Sequence, residues 1–78
     1  MNTKSVNLQY HYAQIDEETG RCVSCFTCTY EIPLSNYILI PDASNDYLDK
    51  YYNPSTDLWY IDSDMTIEAT EVNEMYHG

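Results

Sequence analysis

Positive charge is almost missing from this chain. Lys4, Arg21 and Lys50 are its three cations against 13 aspartates and glutamates, which leaves a net charge of −10 at pH 7. Binding nucleic acid through its phosphates requires clustered Lys and Arg, so that partner class is set aside. Docking on an anionic membrane is disfavoured for the same reason. Glycine is equally scarce. With Gly20 and Gly78 alone, no glycine-rich loop can cradle a phosphate. No apolar run approaches the roughly 20 residues of a membrane-spanning helix. The opening residues MNTKSVNLQY carry no apolar stretch of the secretory kind. A cytoplasmic chain with its three cysteines as reduced thiols is therefore expected.

Phe26 and Trp59 are the only residues of their kinds, yet there are nine tyrosines. A core built this way is amphipathic, and several hydroxyls must reach water, a backbone carbonyl or another chain. A domain of this length buries only about 60% of the surface its unfolded chain exposes, so a partner or an oligomer interface would help it.

Residues 47–61, YLDKYYNPSTDLWYI, hold Trp59 and the richest local turn chemistry. Pro54 presets φ for the first corner of a turn, and Asn53, Ser55 and Asp57 can bond nearby backbone. Tyr51 and Tyr52 before it and Leu58 to Ile61 after it predict a hairpin with a loop of about five residues. Upstream, Val6 to Tyr12 alternates, with Val6, Leu8, Tyr10 and Tyr12 on one face and Asn7, Gln9 and His11 on the other. Ala13 and Ile15 continue the His11 face. Asp16 to Gly20 is a turn in which Gly20 takes positive φ. Arg21 to Tyr30 follows as a second strand, with Cys22, Ser24, Phe26, Cys28 and Tyr30 on one face and Arg21, Val23, Cys25, Thr27 and Thr29 on the other. The register should set Val6, Leu8, Tyr10 and Tyr12 beside Cys22, Phe26 and Cys28, since a slip of one residue would oppose that row to Thr27 and Thr29.

Pro33 favours a bend or an edge. Tyr37 to Ile40 is a short buried strand ending at Pro41. Asp42 or Ser44 can cap one helical turn before Lys50. Asp62-Ser63-Asp64 is a further turn, and the alternation of Met65, Ile67 and Ala69 predicts a last strand. The sum is an all-β, mainly antiparallel domain over residues 1–78, a small β-sandwich or curled sheet of five to six short strands with one short helical turn, and with mobile ends near 1–5 and 71–78.

Chemistry-bearing residues are few. Cys22, Cys25 and Cys28 have the C-x-x-C-x-x-C spacing of metal or redox runs. On a regular strand Cys22 and Cys28 point one way and Cys25 the other, so buried structural cysteines are expected, with a metal or a disulfide as the alternatives. Asp57, Asp62 and Asp64 could offer oxygens to calcium, but no Gly position or terminal Glu completes a calcium loop. His11 as a base beside Cys25 as nucleophile would lack an orienting acid. No catalytic, cofactor-binding or metal residues are therefore expected, and the chain is expected not to be an enzyme. Tyr is enriched at protein interfaces, which makes Tyr47, Tyr51, Tyr52 and Trp59 the candidate partner contacts.

The order Tyr12-Ala13-x-Ile15-Asp16, Cys22 to Ser24, Tyr37-Ile38-x-Ile40-Pro41, Tyr47-Leu48-x-Lys50-Tyr51-Tyr52-Asn53 and Trp59-Tyr60 resembles small tail-tip proteins of siphophages of Gram-positive hosts such as Bacillus. The resemblance spans residues 10–61 and rests on degenerate aromatic motifs, with departures at the cysteine cluster and the loop 42–49. It implies a β-rich, non-enzymatic structural or adaptor module of a phage tail tip or baseplate, related to receptor-binding modules. The implied partners are other tail proteins or a second copy of itself, met in the host cytoplasm during assembly or in the virion tail. The alternative is an acidic DNA mimic that inhibits a host nucleic-acid enzyme, motivated by the charge of −10 in so short a chain.

Overall fold

The computed structural model describes residues 8–78. Strand β1 (Tyr10–Ile15) pairs antiparallel with both β2 (Cys22–Cys28) and β3 (Tyr37–Ile40), giving a three-stranded sheet in the order β2-β1-β3. Strands β4 (Tyr51–Asn53) and β5 (Leu58–Tyr60) form a two-stranded hairpin. A 3₁₀ turn spans Asn45–Tyr47, and the chain ends in helix α1 (Thr70–His77). The fold is thus mostly antiparallel sheet, five strands in two small sheets, with one helix added and no clear sandwich. The predicted first strand began at Val6. Val6, and the frayed end expected at 1–5, lie outside the described residues.

Local chemistry explains each junction. The Asp16 carboxylate accepts from the Glu18 amide at 2.8 Å, and Gly20, at φ 80°, closes the turn by donating to the Asp16 carbonyl at 2.7 Å. Ser44 caps the 3₁₀ turn, its hydroxyl accepting from the Asp46 amide at 3.1 Å. In the β4–β5 loop the Asn53 side chain accepts from the Ser55 amide, the Asn53 carbonyl from the Asp57 amide at 2.8 Å, and Asp57 turns the chain back at φ 57°. Aspartate is among the few non-glycine residues that visit this region readily.

The register has the expected parity: Tyr10 faces Cys28 and Tyr12 faces Phe26. It then shifts. Gln14 faces Ser24 but Ile15 faces Cys22, so Val23 is an extra residue, a bulge that reverses which side of the sheet the following positions occupy. Beyond the bulge the start of β2 leaves the first sheet and joins the second. The Cys22 amide donates to the Lys50 carbonyl at 2.8 Å, the Tyr52 amide to the Gly20 carbonyl at 2.9 Å, and Arg21 bridges Tyr51.

The core lies on the Ala13–Ile15 side of the first sheet, whereas the alternation had put the Tyr10–Tyr12 side inward. Ala13, Ile15, Cys22 and Ile40 pack there against Tyr47, Tyr52, Trp59, Ala69 and Val72. Trp59 and its neighbours form the larger cluster on this side, and Tyr12 is buried separately on the other side against Phe26 and Tyr37.

Two expectations for the C-terminal part are corrected. The predicted strand at Met65–Ala69 is reduced to a single bridge, Tyr60 to Glu68, because Met65 sits at φ 58° and Asp62 ties up the Thr66 and Ile67 amides at 2.9 Å each. Residues 71–78, expected to be a mobile end, form most of α1 instead. Ala69, Val72, Asn73 and Tyr76 recur at helical spacing and face the core, with Glu71 in the first turn and His77 in the last, the favourable polarity for the helix dipole. Among the described residues no helix is long and apolar enough to cross a membrane.

Candidate functional site

The anticipated contact residues are placed differently from one another. Tyr47 and Trp59 are 0% exposed, Tyr52 is buried and Tyr51 is half-buried. Trp59 is the hub: its ring meets Tyr47 at 5.1 Å, Tyr52 at 5.0 Å and Tyr76 at 6.0 Å. In this fold these rings contact one another, so an outside partner would meet Tyr51 alone of the four. The Tyr47 hydroxyl and the Trp59 indole N–H have no hydrogen-bond partner within the described residues. Burial pushes the Tyr47 phenol up to about 12, with nearby Cys25 and Asp42 adding to the effect.

The side with interface character is the other side of the first sheet, where Tyr12 is buried and Phe26 and Tyr37 are half-buried. Tyr12, Phe26 and Tyr37 form a triangle of rings with centroids 5.9–6.3 Å apart, two of the three pairs edge to face. Leu39, opposite Tyr12, is 55% exposed. The loop between β2 and β3 lies against this side: the Ile32 amide donates to the hydroxyl of the buried Tyr12 at 2.9 Å, while Leu34 and Tyr30 stay exposed. Gln14 and Ser24 complete the face, so its centre carries no charge in a chain of net −10. Aromatic enrichment with local depletion of charge is the composition of an interface centre. Sequence reasoning misses the site because the same alternation assigns the Tyr10–Tyr12 side to the main core, which forms on the Ala13–Ile15 side instead.

Two further clusters surround it. At the tip of the β4–β5 hairpin one oxygen of the Asp57 carboxylate accepts from the Tyr52 hydroxyl at 2.5 Å and from the Tyr76 hydroxyl at 2.7 Å. His77 adds a ring nitrogen 2.9 Å from the Asp57 carbonyl. The Tyr52 and Tyr76 hydrogen bonds hold the Asp57 carboxyl below its usual range, and burial, seconded by that carboxylate, raises both phenols. The cluster fastens α1 to the hairpin. Beside it runs an open groove of about 440 Å³ lined by Asp46, Lys50, Ile61, Glu68, Glu71 and Met75.

The cysteines depart from their expected geometry. The bulge puts Cys22 and Cys25 on the same side, with sulfurs 3.7 Å apart, and leaves Cys28 on the aromatic side, where its thiol donates to the Tyr30 carbonyl at 3.0 Å. Burial pushes the Cys22 thiol up to about 12 and raises Cys25 as well, so both are neutral thiols at pH 7. His11, the one base considered for Cys25, holds the Thr27 hydroxyl at 2.7 Å. Asp62 spends its carboxylate on the Thr66 and Ile67 amides. Among the described residues no three His, Cys, Asp or Glu side chains converge as a metal site would require. No family model, no curated protein and no solved structure matches this chain.

Proposed function

We propose that this protein is a non-enzymatic contact module that docks another protein on the uncharged aromatic side of its three-stranded sheet. The observation that carries the reading is the triangle of Tyr12, Phe26 and Tyr37, in which Tyr12 is buried, Phe26 and Tyr37 are half-buried, and Leu39 beside them is 55% exposed. Apolar area of this kind is stabilised by removal from water at roughly 25 cal/mol per Å², and a domain this small gains from the cover. The resemblance to siphophage tail-tip proteins implies a partner among tail or baseplate proteins or a second copy of the chain, met in the host cytoplasm during assembly or in the virion tail.

The experiment is co-purification with siphophage tail-tip and baseplate proteins. Wild type and Ile61→Asp, a change at an exposed position on the groove side, should both retain the partner. Leu39→Asp should lose it by tenfold or more in affinity, the order expected from placing a charge at the centre of an interface. Equal retention by all three would overturn the reading. Sedimentation of the purified chain separates a tail partner from a second copy: a dimer broken by Leu39→Asp would make the occupant the chain itself. The rival reading, an acidic DNA mimic, draws on the groove carboxylates Asp46, Glu68 and Glu71. Salt-sensitive capture of a DNA-binding enzyme, unaffected by Leu39→Asp, would favour it instead.

A further inference from the structure

We infer that Cys22 and Cys25 are a reversible dithiol–disulfide pair, closed across the bulge of β2 by an oxidant of the disulfide class such as oxidised glutathione. On a regular strand, residues three apart point to opposite sides and cannot be joined. Here Val23 is the extra residue of the bulge, so Cys22 and Cys25 stand opposite Ile15 and Ala13, two positions of β1 that share one side. Their sulfurs are already 3.7 Å apart. On a regular strand the three steps from Cys22 to Cys25 would span about 9.9 Å at about 3.3 Å each. The bulge fits them opposite the two steps from Ala13 to Ile15, about 6.6 Å, which brings the pair to the upper end of the roughly 4.4–6.8 Å window of Cα separations seen in disulfides. Cys28 cannot compete for either partner, because it lies on the opposite side of the sheet.

Burial sets the order of attack. Cys22 is fully enclosed, while Cys25 is half-buried on a strand that, among the described residues, pairs along its far edge only where Cys22 meets Asp49 and Lys50. Cys25 therefore meets the oxidant first. Its thiolate attacks one sulfur of oxidised glutathione, a mixed disulfide forms and one glutathione thiolate leaves. The Cys22 thiolate then attacks the Cys25 sulfur and expels the second glutathione. The two protons given up by Cys25 and Cys22 end, through solvent, on the two expelled glutathione thiolates and the two electrons on the oxidant, which ends as two reduced glutathiones. The bridge ties the start of β2, which belongs to the hairpin side, to the part that carries Phe26 on the aromatic side.

The test exposes the native reduced chain to excess oxidised glutathione under mildly alkaline conditions, quenches with acid, alkylates free thiols and maps peptides by mass. The expected product has lost two hydrogen atoms, carries a Cys22–Cys25 bridge with Cys28 alkylated, forms at a rate independent of protein concentration, and reverts with dithiothreitol. Cys22→Ser should stop at the glutathione adduct on Cys25, and Cys25→Ser should prevent the bridge. The same equilibrium measured in concentrated guanidinium chloride separates the fold from mere C-x-x-C spacing: the native chain should favour the bridge by at least roughly tenfold. A lasting glutathione adduct on wild-type Cys25, a bridge that includes Cys28, three alkylatable thiols after exposure, or no preference over the unfolded chain would each overturn the inference.

Discussion

Single residues here do work that their neighbours cannot take over. A Cβ on Gly20 would stand 2.8 Å from the Tyr52 carbonyl oxygen and 3.0 Å from the Met65 methyl, at a φ of 80°. Backbone cannot retreat as a side chain can, and the Gly20 carbonyl also accepts from the Tyr52 amide. Gly20→Ala should therefore destabilise the fold by about 1–3 kcal/mol, read from a urea titration followed by Trp59 fluorescence. Asp57 gives a pH signature. Its folded pKa is depressed, so its contribution is complete above the unfolded value of 3.8 and is lost as pH falls through the lower folded value. Asp57→Asn keeps the positive φ but removes the charge. It should lower the urea midpoint at neutral pH and flatten the loss of stability in the steps below pH 3.8. An unchanged acid limb would show that the carboxylate is not what the two tyrosines hold.

At the scale of elements, the decisive pairing is between α1 and β5. The edge of β5 would otherwise present unpaired backbone inside the core. The Asn73 side chain answers it as a neighbouring strand would, accepting from the Trp59 amide at 2.7 Å and donating to the Trp59 carbonyl at 3.0 Å. The Ala69 amide shares that carbonyl at 2.9 Å. Asn73→Ala leaves a buried amide without a partner and should cost about 1–3 kcal/mol, with faster hydrogen exchange at the Trp59 amide than at other core amides. Asn73→Asp should cost more, because it turns a carboxylate oxygen toward the Trp59 carbonyl. An eight-residue helix has little stability of its own, so α1 exists through this contact and through Val72 and Tyr76. That is why the acidic end was legible only as a tail: Glu71 and Glu74 dominate its composition, and the helical spacing of Ala69, Val72, Asn73 and Tyr76 gains meaning only once β5 stands beside it. The turns were legible in advance because their chemistry is local. Gly20, Ser44 and Asn53 each bond backbone within four residues in sequence.

For the whole molecule, the arrangement is a main core on one side of a sheet and a second, partly buried aromatic side bordered by the exposed Leu39, Leu34 and Tyr30. A bound protein at 100 times its dissociation constant would add about 2.7 kcal/mol to stability. Thermal unfolding with the partner present should therefore move up by several degrees, and Leu39→Asp should abolish the shift without altering the free chain by more than about 0.5 kcal/mol. The alternation of Tyr10, Tyr12, Phe26 and Cys28 announced two-sided strands, and the register between them followed from parity. Which side is the core did not, because both sides are apolar enough and only the mass of Trp59, Tyr47 and Tyr52 arriving from residues distant in sequence decides it.

Sequence by itself determined what depends on neighbours along the chain: the strand periods, the turns at 16–20 and 53–57, the cap at Ser44, and the net charge of −10. Tertiary structure alone decided the choice of core side, the helix at Thr70–His77, and the bulge that brings Cys22 and Cys25 together. Each of these depends on contacts between residues far apart in sequence, and a pattern of period two carries no record of which partner will arrive on which side.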